Sequence, residues 1–178
     1  MNEKISEKNI LFIFEKYHLI FLFLILAFAF VIRISDLAND PPGMYMDEVS
    51  SAYNAYSILQ TGKDEHGKAF PIFFEAFGEY RQGLYIYSMI PSLLVFGLTN
   101  FGTRFTSVFF GMGCILVLYF LGRFLLNKNF GLLAASLLAI QPWHFLLSRV
   151  AFEGISFVFL VLLGLLFFFY WYWKRNKR

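Results

Sequence analysis

Acids and arginines are scarce in this chain, and the few that cluster are of types that could transfer a group. Asp47 and Glu48 are adjacent, Arg81 follows in the same polar segment, and Arg149 and Glu153 lie in a second one. Carboxylates and guanidiniums gathered at a membrane boundary suit one reaction class. A carboxylate can take the proton of an acceptor hydroxyl or amine. A guanidinium offers fork-like donors to the oxygens of a departing phosphate. Transfer of a sugar from a lipid-linked phosphosugar needs both groups. It needs them at the interface, because the lipid tail stays in the bilayer. On this reasoning Asp47 is the candidate base, and Arg81 or Arg149 the candidate phosphate ligand.

Plainer readings stand beside each assignment. Asp47 could serve only to favour a helix N-terminus. Glu153 could pair with Arg149 four residues earlier if that turn is helical. Arg81 could anchor its segment to lipid headgroups. His66 reads as a solvated loop residue, and His144, beside Trp143, as an interfacial one. No two histidines have metal-ligand spacing, so neither a metal site nor a cofactor is predicted.

The elements that must position these residues are hydrophobic helices. Of 178 residues, 58% are hydrophobic and only 15% charged, and Phe occurs 25 times, mostly in long apolar runs. Mean hydropathy is +0.61. A soluble domain rarely carries so much apolar surface. The single cysteine, Cys114, excludes a disulfide framework within the chain. The net charge of +3 comes without a basic patch interleaved with aromatics, so no nucleic-acid partner is expected.

A span needs about 20 mostly apolar residues. Four segments qualify: 17–34, 103–126, 130–147 and 154–173. The first begins late and is not followed by a small-residue cleavage site, so it reads as a retained span. The last ends in Tyr170-Trp171-Tyr172-Trp173 and a basic tail, 174–178, an aromatic belt followed by an anchor. With four spans, nine of the fifteen basic residues share one side: Lys4, Lys8, Lys16, Arg123, Lys128, Lys174, Arg175, Lys177 and Arg178. The positive-inside rule makes that side cytoplasmic, with the N-terminal segment 1–16 and the tail on it. A fifth apolar segment, 82–98, is short and contains Pro91. A fifth span would turn the basic tail outward, so this segment is expected to lie at the interface or to re-enter; a true span is the alternative. The predicted fold class is therefore all-α: a polytopic transmembrane bundle with an outer loop, 35–102, that holds two interfacial helices at 46–60 and 82–98. Within the first of these, Val49, Ala52, Tyr53, Tyr56 and Leu59 follow helical spacing, and Thr61-Gly62 ends it. Asp47 and Glu153 then fall on the same outer face.

The order of motifs resembles a known family. After the first span come PPGMYMDEVSSAYNAYSILQTGKDEHGKAFP and FGEYRQGLYIY. FGTRF then opens a span, and PWHFLLSRVAFEG precedes the last one. This pattern is similar to the N-terminal part of the dolichyl-phosphate-mannose–protein mannosyltransferase superfamily, glycosyltransferases of the GT-C class. The resemblance covers about residues 17 to 173. It implies that the acidic pair falls on Asp47-Glu48, with Asp47 as catalytic base or acceptor ligand, and that the second outer acid falls on Glu153. The family's basic residue ahead of the second interfacial helix falls on Arg81, where relatives often carry lysine followed by proline; here Gln82 follows. The catalytic candidates are thus Asp47, Glu48 and Glu153. The substrate-binding candidates are Arg81, Arg149 and the neighbouring Tyr80 and Tyr85.

The expected partners are a polyprenyl-phosphate sugar donor, membrane lipid, and a protein, lipid or glycan acceptor. Full members of the family have more spans, so a further chain or additional C-terminal spans also belong among them. The expected activity is sugar transfer at the outer face of the cell membrane, by the chain itself or by an enzyme of which it is the N-terminal fragment. The alternative is a non-catalytic membrane module that binds lipid-linked sugar or a partner chain.

Overall fold

A computed structural model describes residues 16–176. Segment 1–15 and residues 177–178, which carry part of the basic charge behind the expected orientation, lie outside the described residues. The elements run α1 (His18–Ile34), α2 (Met46–Thr61), β1 (Phe73–Ala76), β2 (Glu79–Gln82), α3 (Gly83–Phe96), α4 (Asn100–Leu125), α5 (Lys128–Ile140), α6 (Pro142–Leu147) and α7 (Gly154–Asn176).

Among the described residues two stretches, Asn100–Leu125 and Gly154–Arg175, are long and apolar enough to cross a membrane. Helix α1 is shorter, at 17 residues. The segment expected as one span at 130–147 is two helices. Proline lacks an amide hydrogen and biases the residue before it towards extended backbone. Gln141, ahead of Pro142, accordingly sits at φ −64, ψ 121, and the helix restarts with proline in its first turn. Helix α3 has 14 residues with Pro91 inside it. At about 1.5 Å per residue it reaches about 21 Å, short of a hydrocarbon core of about 30 Å.

Helix α4 is the central element. Its start is capped by the Thr99 hydroxyl, which accepts from Gly102 N at 3.0 Å. One side of α4 meets α1 and α5 through Leu22, Ala29, Ile115, Tyr119, Leu132 and Ala135. Glycines bring these backbones together: a Cβ on Gly131 would stand 2.6 Å from the Tyr119 carbonyl. The other side packs on α3 and α7, where Tyr85, Met89, Phe110 and Ile155 are buried. Large apolar side chains also cover the outward faces, among them Phe23, Phe28, Leu133 and Phe157. Helices apolar on every side suit a hydrocarbon surrounding.

Helix α2 divides its expected apolar stripe. Ala52 turns inward with Ala55 and Ile58, while Val49, Tyr53 and Tyr56 stay exposed. Gly62 ends the helix in the left-handed region, at φ 71.

The chain is mostly helical, and one β-hairpin corrects the all-α expectation. Strands β1 and β2 pair antiparallel, with Ala76 opposite Glu79 and Phe73 opposite Gln82. Phe77 (φ 53) and Gly78 (φ 82) form the two-residue turn. Left-handed backbone at both turn positions matches the twist of the flanking strands. The usual Asn-Gly or Asp-Gly signature is missing, so the sequence does not announce the turn.

Candidate active site

The hairpin folds Arg81 back onto the first turn of α2. Arg81 Nη2 donates to Asp47 Oδ1, forming an ion pair, and Nη1 donates to the Asp47 carbonyl at 3.3 Å. The Phe77 ring centre lies 5.9 Å from the guanidinium carbon. The Asp47 side chain is 47% exposed and that of Arg81 15%. The base candidate therefore faces solvent, and its cation stands beside it. Tyr80 does not join them. Alternate strand residues point to opposite faces, and Tyr80 lies exposed towards Lys68, whose ammonium is 5.9 Å from the ring.

Glu48, one residue on, is wholly buried. Its Oε1 accepts from Arg104 Nε (3.0 Å) and Ala151 N (2.8 Å). Its Oε2 accepts from Arg104 Nη2 (3.2 Å) and Tyr45 N (3.1 Å), the last contact capping α2 from its third position. Arg104 spends its remaining hydrogens on the carbonyls of Leu37, Pro41 and Gly43. All five guanidinium donors are used, and all four lone-pair sites of the carboxylate. This pair joins the loop after α1, the start of α2, helix α4 and the segment before α7.

Arg149 is 3% exposed and closes the C-terminus of α1. Its Nη1 donates to the carbonyls of Ile32 (2.9 Å), Arg33 (3.2 Å) and Ser35 (2.8 Å), and its Nη2 to Asp40 O (2.8 Å) and Oδ2 (3.0 Å). A helix end leaves such carbonyls unpaired, and a cation there also meets the negative end of the dipole. No Arg149–Glu153 pair forms, because 148–153 is turn rather than helix. Glu153 is half-buried, and its carboxylate makes no hydrogen bond or ion pair among the described residues. Tyr85, buried in α3, shares a 2.6 Å hydrogen bond with Ser107. Burial raises its phenol well above the ordinary value. The Ser107 bond opposes that shift, and the charges of Glu48 and Glu153 add to it.

The family model for dolichyl-phosphate-mannose-protein mannosyltransferase matches residues 23–178. The chain belongs to this family. No curated protein and no solved structure matches it. Dolichyl-phosphate-mannose-protein mannosyltransferases are membrane-integral glycosyltransferases that draw on a dolichyl-phosphate-mannose donor and a protein acceptor.

In this mannosyltransferase-family chain, the sequence reading passed over Arg104 and Arg33. Both are fully buried. Arg33 donates to Ser148 Oγ (2.9 Å), Ala29 O (3.1 Å) and Ala139 O (3.1 Å), and its Nη2 stands 3.1 Å from His144 Nδ1. Ala139 O is one of the carbonyls freed where the helix breaks ahead of Pro142, so Arg33 satisfies the break. His144 is wholly buried. A guanidinium can only donate, so Nδ1 accepts and the imidazole is held neutral. The available signal was position: each arginine falls at an end of an apolar run, where a charge can be buried only with partners.

Proposed function

We propose that the chain carries the acceptor-activating face of a glycosyltransferase that moves a sugar from a polyprenyl-phosphate donor to an acceptor hydroxyl or amine on the outer side of the membrane. The observation that supports this most directly is the half-exposed Asp47 carboxylate with Arg81 bound to it. In this reading 17–34, 103–126, 130–147 and 154–173 cross the bilayer, and α2 and α3 lie at the outer interface. The 14-residue length of α3 favours that placement.

The reaction is a single displacement. The acceptor oxygen or nitrogen attacks the anomeric carbon while the bond from that carbon to the phosphate oxygen breaks, inverting the configuration. The acceptor proton goes to Asp47. The electron pair leaves with the lipid phosphate, whose charge Arg81 neutralises. Arg81 cannot serve Asp47 and a phosphate equally, so the arriving phosphate draws the guanidinium away and leaves Asp47 free to accept a proton. Glu48 has no lone pair left for a substrate proton. Its part is to fix the turn that carries Asp47. Arg149 is buried, with both terminal nitrogens committed to carbonyls and Asp40, which favours Arg81 as the phosphate ligand. Glu153, without a partner among the described residues, is the second acid available to orient the acceptor. Tyr85 hydrogen-bonds Ser107 inside α3's packing and Tyr80 lies exposed towards Lys68, so neither is given a part in the transfer.

The test is transfer from radiolabelled polyprenyl-phosphate mannose to a peptide acceptor in membranes that carry the chain, with Asp47→Asn beside it at equal expression. Loss of transfer in the variant is the expected result. Transfer at the wild-type rate would remove Asp47 from the chemistry, and donor binding without turnover by either protein would favour the non-catalytic module.

A further inference from the structure

We propose that the recess between the C-terminal ends of α4 and α7 binds one anionic glycerophospholipid, with the lipid phosphate held by Arg123. The recess has a volume of about 530 Å³. Phe120, Phe124, Phe167, Tyr170 and Trp173 line it, and Arg123 is its one charged residue. Arg123 is exposed, and its guanidinium has no hydrogen bond or ion pair among the described residues.

Charge selects the ligand. Lys174 and Arg175 close the last turn of α7 at the same end. The described acids are all elsewhere: Asp36, Asp40, Asp47, Glu48, Asp64, Glu65, Glu75 and Glu79 precede α4, and Glu153 lies at the opposite end of α7. A cation cluster with no described carboxylate at hand attracts an anion.

Shape selects a lipid over a free phosphate. Phe120 lies one turn deeper than Arg123, and Phe167 nearly one turn deeper than Tyr170, so the walls below the guanidinium are apolar and suit an acyl chain. Phe124 packs against Tyr170 (6.3 Å between ring centres) and Trp173 (5.7 Å), closing the back of the recess. Tyr and Trp at this level sit where headgroups meet hydrocarbon. The lipid comes from the leaflet opposite Asp47.

Native mass spectrometry of the full chain tests this, with phosphatidylglycerol and phosphatidylcholine offered in equal amounts. One phosphatidylglycerol is expected to be retained in preference. Arg123→Gln should lower its retention about fivefold, the effect of one near-surface basic residue, while Arg123→Lys should keep most of it. Arg175→Gln is the comparison, and it should cost less than Arg123→Gln because Arg175 adds only to the surrounding charge. That guanidinium stacks on Trp171 at 5.4 Å and does not line the recess. Equal retention of the two lipids would overturn the proposal. So would an equal loss in the Arg175 variant, which would mean diffuse attraction, or a self-associated chain that carries no lipid, which would mean that a protein helix fills the recess.

Discussion

At the polar end of the bundle, Arg33, Arg104 and Arg149 are buried, and their donors go to backbone carbonyls, to Ser148 and His144, and to the carboxylates of Glu48 and Asp40. At the other end Arg123 touches no acceptor among the described residues, and no described acid lies near it. A guanidinium taken out of water must be saturated, or it costs several kcal/mol. The buried arginines of the polar end therefore hold backbone in place, and Arg104, with all five donors used, has nothing left to offer a ligand. Arg123 has everything to offer. Arg81 stands between these cases: mostly buried, yet paired with a carboxylate that is itself half in solvent. An arginine in that condition can exchange partners, which a phosphate-handling site needs.

Breaking the polar end should have the largest effect. Arg104→Met leaves the Glu48 charge buried alone and should cost about 3–5 kcal/mol, read from the melting of detergent-solubilised protein. Adding Glu48→Leu should restore only part of this, because the carbonyls of Leu37, Pro41 and Gly43 remain unpaired. Full recovery would mean that the ion pair, and not the backbone it gathers, is what Arg104 contributes.

Asp47→Asn sharpens the contrast within a single turn of helix. Loss of a general base slows a reaction about 10²–10⁴-fold. Because Asp47 is half-exposed, its melting should stay within about 0.5 kcal/mol of wild type. A large loss of stability here would put Asp47 with Glu48 among the structural residues.

The difference between the ends also marks what the sequence could reveal. The helices followed from apolar runs and helical spacing, and Asp47 and Arg81 stood out as charges in a long polar loop. Pairing across sequence did not follow. Glu48 meets Arg104 56 residues away, and Arg33 meets Ser148 115 residues away, through contacts that no local pattern encodes. The β-hairpin was hidden because Phe77 holds a turn position that asparagine or aspartate usually takes. Pro142 was visible as a polar break, but only the fold shows that Arg33 makes the break tolerable.

Gly111→Ala probes the packing behind the polar end. A Cβ there would stand 2.5 Å from Ser148 Cβ, on the residue that accepts from Arg33. Overpacking of this kind costs about 1–3 kcal/mol. Adding Ser148→Gly should relieve the clash but lose the Arg33 hydrogen bond, leaving a deficit of about 1 kcal/mol in the same melting measurement.

Arg123→Gln should have the smallest effect on the fold, within about 0.5 kcal/mol in zwitterionic detergent. The side chain is exposed and partnerless among the described residues, so its removal strands no acceptor and uncovers no buried charge. The same chemical change, removal of a guanidinium at one end of α4, then separates the two ends of the molecule by several kcal/mol. If Arg123→Gln melted as early as Arg104→Met, Arg123 would be holding structure after all, and saturation would no longer distinguish a scaffold arginine from a ligand-binding one.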